Sequence, residues 1–101
     1  MGVRLKTEEY ELPTPVEIII FETEPPCTVC HRAAKVANKI KEKFFGDKVD
    51  IRRVSCLTEE AAEWDVQLAP TIVVGEYIIA EGEVPHKEEF IAAIREALGE
   101  E

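Results

Sequence analysis

Apolar positions in this chain form two kinds of pattern: short unbroken runs, and longer stretches spaced by three and four. Residues 16–21 are a β-branched run, apolar except at Glu17, with almost no alternation. A run of that kind suits a strand covered on both faces, as in a parallel sheet. Glu24-Pro25-Pro26 breaks it. Over residues 28–45 the apolar positions are Val29, Ala33, Val36, Ala37, Ile40 and Phe44, with Arg32, Lys35, Lys39 and Lys43 largely outside their face. That spacing predicts an amphipathic helix. Gly46 stands where a helix commonly stops, and the lysines before it suit a helix's negative pole. Residues 49–54 read as a second strand. Thr58 can cap a short helix carrying Glu59 and Glu60 in its first turn and running to about Asp65. Residues 71–74 and 77–80 are strand-like, and Gly75-Glu76 between them fits a tight hairpin turn. Residues 87–98 repeat the helical spacing at Phe90, Ile91, Ile94 and Leu98.

The expected order is strand, helix, strand, helix, strand, strand, helix. Strands separated by helices are expected to pair in parallel through right-handed crossovers, and the two joined by the tight turn to pair antiparallel. The fold class is therefore α/β: a βαβ unit followed by a ββα unit, around a mixed, roughly four-stranded sheet with helices on both faces. Residues 1–15 carry the weakest pattern and end in Pro13 and Pro15. Val3-Arg4-Leu5-Lys6 alternates, so this segment is an N-terminal arm or an extra edge strand, and residues 16–101 form the domain.

Charge narrows the partners. Acids outnumber bases 21 to 12, a formal net of −9, which repels nucleic acid and anionic membrane surfaces. No apolar run approaches the roughly 18 residues of a membrane span. The opening MGVRLKTEEYE is charged where a secretory signal needs its apolar centre, and the closing LGEE carries no lipidation signal, so a cytoplasmic protein is expected.

In that compartment thiols stay reduced, and a C-x-x-C pair is more often catalytic or metal-binding than structural. Residues 25–32 read PPCTVCHR, and a third cysteine stands at Cys56. Cys27 and Cys30 suit a redox dithiol. Only a thiolate attacks a disulfide, and Cys27 lies at a predicted helix start, where unpaired N–H groups and the helix dipole favour the charged form. Cys30, three residues on, returns to the same side of the first turn.

The run C-x-x-C-H also matches the attachment of c-type haem, but the sole methionine is Met1 and only His86 could be a distal ligand. Cys27, Cys30, His31 and Cys56 together suit zinc or an iron–sulfur cluster, although Cys56 has no nearby second ligand. Glu22 or Glu24 could assist Cys30 in losing its proton but are expected to be solvated loop acids, and His31 could tune the thiols but is expected to be a surface or capping histidine. Cys56 reads as a small buried hydrophobe, or as a regulatory or secondary resolving thiol.

The element order, with C-x-x-C directly after the first strand and Ala69-Pro70-Thr71 directly before the third, resembles the thioredoxin and glutaredoxin superfamily over residues 16–98. The resemblance implies a protein-disulfide oxidoreductase with Cys27 as the attacking thiol and Cys30 as the resolving thiol, and no cofactor. It implies that Pro70 is a cis-proline facing the dithiol, that Ala69 offers its backbone to a bound substrate chain, and that Thr28 and Val29 adjoin the substrate. Disulfide-containing proteins and an upstream reductase are the implied partners, and a monomer is expected. An adaptor domain on the same fold is the alternative, though such versions commonly lose one thiol. The chain departs from the family at Pro26, where thioredoxins usually place Trp, and at Thr28-Val29 between the thiols. The first strand offers no clean equivalent of the thioredoxin buried acid among residues 18–21. Glu22-Thr23-Glu24 and Ala80-Glu81-Gly82 stand where glutaredoxins serve glutathione, an anionic tripeptide that acids disfavour.

Overall fold

The computed structural model describes residues 15–99; the expectation of an arm or edge strand before residue 15 lies outside them. The elements are β1 (Val16–Glu22), α1 (Thr28–Ile40), a π-helical turn (Lys41–Phe45), a 3-10 turn (Gly46–Lys48), β2 (Val49–Ser55), α2 (Glu59–Glu63), β3 (Thr71–Val74), β4 (Tyr77–Glu81) and α3 (Lys87–Leu98). Among the described residues one four-stranded sheet runs in the order β2-β1-β3-β4. β1 lies inside it and is buried along nearly its whole length, which is why its sequence shows no alternation.

Period-two geometry splits β1 between two cores. Ile18 and Ile20 join Ala33, Ala37, Ile40, Phe90 and Ile94 beneath α1 and α3. Ile19 and Phe21 face the other way and pack with Val73 and Ala61 of α2. On that second face Arg52 bonds to both Glu17 and Glu60, tying α2 to the sheet and holding the Glu60 carboxyl below the usual carboxylate range.

β1 and β2 pair in parallel, and β3 and β4 antiparallel. The expectation that all helix-separated strands pair in parallel fails at β3, which runs antiparallel to β1. The cause is the length of α2. Five residues advance only about 7.5 Å, too little to return the chain to the far end of the sheet. β3 therefore starts from the end where β2 finished. The first helix also differs from expectation: its regular part stops at Ile40, and the last stretch before Gly46 is π-helical.

Candidate functional site: a dithiol at a helix start

The C-terminal end of β1, the start of α1 and the start of β3 meet at one end of the sheet. Phe21 pairs with Thr71, so Pro70 lies level with the segment leaving β1. That segment carries a cis Glu24–Pro25 bond and leads into Cys27, the N-cap of α1. A cap is extended (φ −86°, ψ 174°), and its side chain accepts a hydrogen bond from the first turn. Here the acceptor is a sulfur: Cys27 Sγ receives the Cys30 backbone N–H at 3.4 Å. No acid occupies the first turn of α1 to oppose negative charge there.

Both thiols are free, with Sγ atoms 3.1 Å apart. Cys27 is half-buried and Cys30 fully buried. Of the two, Cys27 is therefore the one open to solvent. The Cys27 thiol is lowered from its ordinary value, chiefly by the Cys30 side chain and then by the Cys30 N–H, against a smaller opposing effect of burial. The Thr23 hydroxyl and the Val29 N–H lower it further.

Thr23 was invisible to the motif, yet its Oγ1 lies 3.8 Å from Cys30 Sγ while donating to the Pro25 carbonyl at 2.9 Å. With its one proton so placed, its oxygen faces Cys30 as an acceptor. The expected outcome is an iodoacetamide alkylation rate for Cys27 that rises with pH and reaches half-maximum at a lower pH than for a free cysteine. Cys30→Ala should move that midpoint upward, and Thr23→Val upward by less. A midpoint unmoved in Cys30→Ala would contradict this account of Cys27.

Ala69–Pro70 is cis and Pro70 is buried. The Pro70 carbonyl takes the Gly82 N–H, and Thr71 Oγ1 bonds to the Leu68 carbonyl, so this corner is pinned from both sides. The Ala69 backbone N–H and carbonyl have no partner among the described residues. Thr28 is exposed and Val29 half-buried.

The surrounding charges correct the sequence reading. Glu22 is no solvated loop acid: it ends β1 at 5% exposure and accepts from Arg53 Nε at 2.7 Å. Ile20 is level with Arg53 in the β1–β2 pairing, so Arg53 stands on the α1 face of the sheet. Its Nη2 reaches His31 Nδ1 at 2.9 Å. A guanidinium only donates, so Nδ1 is the acceptor and the ring proton sits on Nε2. Glu22, Arg53 and His31 thus link the end of β1 to the turn that carries Cys30. Glu24 is exposed, as expected of it.

Cys56 follows β2, is half-buried, and gives its N–H to the Glu22 carbonyl at 2.8 Å. Among the described residues no three His, Cys, Asp or Glu side chains gather in a way that would hold a metal ion. Nor is any described helix long and apolar enough to cross a membrane.

Comparison with known proteins agrees with this geometry. A probable thioredoxin of Methanothermobacter marburgensis is 31% identical over 85 residues, covering 82% of this chain and 96% of that one. Among solved structures, a malarial protein superposes with a TM-score of 0.64 at 19% identity, covering 83% of this chain and 98% of its own. The malaria parasite's thioredoxin-2, described as a component of protein secretion machinery, gives 0.61 at 17% identity, covering 84% of this chain and 85% of its own. No family model matches the chain. The fold is thioredoxin-like, and the chain belongs to the thioredoxin family.

Proposed function

We propose that the chain is a cytoplasmic thiol–disulfide oxidoreductase that reduces protein disulfides through Cys27 and Cys30. One observation carries the reading: a half-exposed sulfur at a helix start, 3.1 Å from a buried second sulfur. The Cys27 thiolate attacks one sulfur of the substrate disulfide; a Cys27–substrate bond forms, and the other substrate sulfur leaves and takes up a proton. Cys30 then loses its proton and attacks Cys27 Sγ. The Cys27–Cys30 disulfide forms, the second substrate sulfur leaves as a thiol, and two electrons have passed to the substrate. An upstream dithiol reductase returns them.

A protein substrate is favoured over glutathione by the surroundings of the dithiol. The Ala69 backbone, without a partner among the described residues, offers one N–H and one carbonyl to an extended chain. Leu68 beside it is 55% exposed, and Leu57, just past β2 at the same end of the sheet, is 77% exposed. Apolar surface of this kind suits a polypeptide better than a small anionic tripeptide. In a turbidity assay of insulin reduction, micromolar protein should speed precipitation several-fold over dithiothreitol alone. A rate equal to that of the reductant alone would sink the proposal.

A further inference from the structure

Helix α1 carries the dithiol at one end and a groove at the other. The groove encloses about 440 Å³ between the last turns of α1 and the start of α3, within the range of small-molecule pockets. From Cys30 to Lys39 and Phe44 the helix advances about 14–20 Å, so the groove is separate from the thiols.

Its floor is apolar, formed by Val36, Ile40, Phe44 and Pro85, and its rim is Lys39, Lys43, His86 and Lys87. Among the described residues no Asp or Glu lines it, in a chain where acids outnumber bases 21 to 12. Among the described residues none of the three lysines is paired with a carboxylate. Lys87 lies with its ammonium 5.7 Å from the Phe44 ring centre. It is also the first residue of α3, where a cation adds to the positive pole of the helix instead of opposing it. The first turn of α3 also carries Glu88 and Glu89, of which Glu89 accepts the His86 backbone N–H in the capping box. Gathering like charges around one cavity costs free energy that a bound anion relieves.

Two features of the wall point to a ligand with an apolar body as well. Phe44 is 47% exposed although it adjoins buried core at Phe45 and Ile40. The turn presenting Lys43 and Phe44 is π-helical, a geometry found mostly as single turns and frequently at functional sites.

We propose that this groove binds an amphiphilic organic anion, a flat apolar body seated on Phe44 and Ile40 with a carboxylate, sulfonate or phosphate held by Lys39, Lys43 and Lys87. The occupant meets the ring face and aliphatic floor by area and the ammonium groups by charge-assisted hydrogen bonds. The groove shares no residue with the dithiol, so binding there is independent of the thiol chemistry.

The test is a fluorescence titration of the full chain with 8-anilinonaphthalene-1-sulfonate, an aromatic ring system bearing one sulfonate. Saturable one-site binding is expected, weakened about tenfold or more in Lys43→Gln/Lys87→Gln and in Phe44→Ala. Lys35→Gln, an exposed α1 lysine outside the groove, should bind as wild type. Inorganic phosphate should displace the dye only at far higher concentration. Unsaturable binding, binding equal in the groove variants and wild type, or displacement by equimolar phosphate would each overturn the proposal. Cys27→Ser should leave the titration unchanged.

Discussion

Cys27→Ser should reduce insulin-disulfide turnover by about a thousandfold or more, to the level of the reductant alone. Cys30→Ser should behave differently, and the difference follows from burial. Cys27 is half-buried and caps α1, whereas Cys30 is fully buried behind it. Removing Cys27 removes the only one of the pair that an incoming disulfide can reach. Removing Cys30 leaves the attack possible but takes away the sulfur, 3.1 Å away, that would release the product. The Cys30→Ser protein should therefore react once and accumulate as a mixed disulfide, visible by mass spectrometry and reversible with excess dithiothreitol. Its serine hydroxyl still offers a donor to Cys27, though not the second sulfur that closes the cycle. Cys56 is half-buried at the end of β2. If it were a second resolving thiol, Cys30→Ser would keep turning over and Cys30→Ser/Cys56→Ser would not. Equal loss in Cys27→Ser and Cys30→Ser, with no adduct in either, would contradict the assigned order of attack.

The parts of this site that could be read from sequence are those that local chain chemistry determines. Two residues separate the two thiols on one helical turn, and a Pro-Pro pair ends the strand before them, so their juxtaposition needs no tertiary information. The buried run of β1 and the Gly75-Glu76 turn are legible for the same reason. What escaped depends on register and distance. Arg53 is 31 residues from Glu22 and 22 from His31, and only the β1–β2 pairing brings the three together. Glu22 sits one residue past an apolar run, where a solvated acid and the last buried position of a strand look alike. Thr23 needed the turn at Pro25 before its hydroxyl could face Cys30. The direction of β3 depended on α2 being five residues long, and helix ends are the least sharply encoded feature of a sequence. The π-helical turn likewise hides inside a pattern that fits an ordinary helix equally well.

Arg53 provides the sharpest test of those non-local contacts. Arg53→Gln should destabilise the protein by about 2 kcal/mol, because it leaves the Glu22 carboxylate buried without its cation. That value lies below the roughly 3–5 kcal/mol expected of a fully buried pair, since the Arg53 side chain is 39% exposed and water screens part of the interaction. For a domain of this size such a loss lowers Tm by roughly 10 °C. Glu22→Gln/Arg53→Gln should recover at least half of it, because a neutral amide at position 22 no longer needs a compensating charge. Arg53→Lys should fall between wild type and Arg53→Gln: an ammonium balances Glu22 but lacks the planar fork that reaches Glu22 and His31 together. His31→Ala removes one exposed hydrogen bond and should cost about 0.5 kcal/mol. Non-additivity between positions 22 and 53 carries the conclusion, because two residues that do not interact would lose stability independently. A double variant as unstable as the sum of the two single ones would show that the charges at the end of β1 do not answer each other.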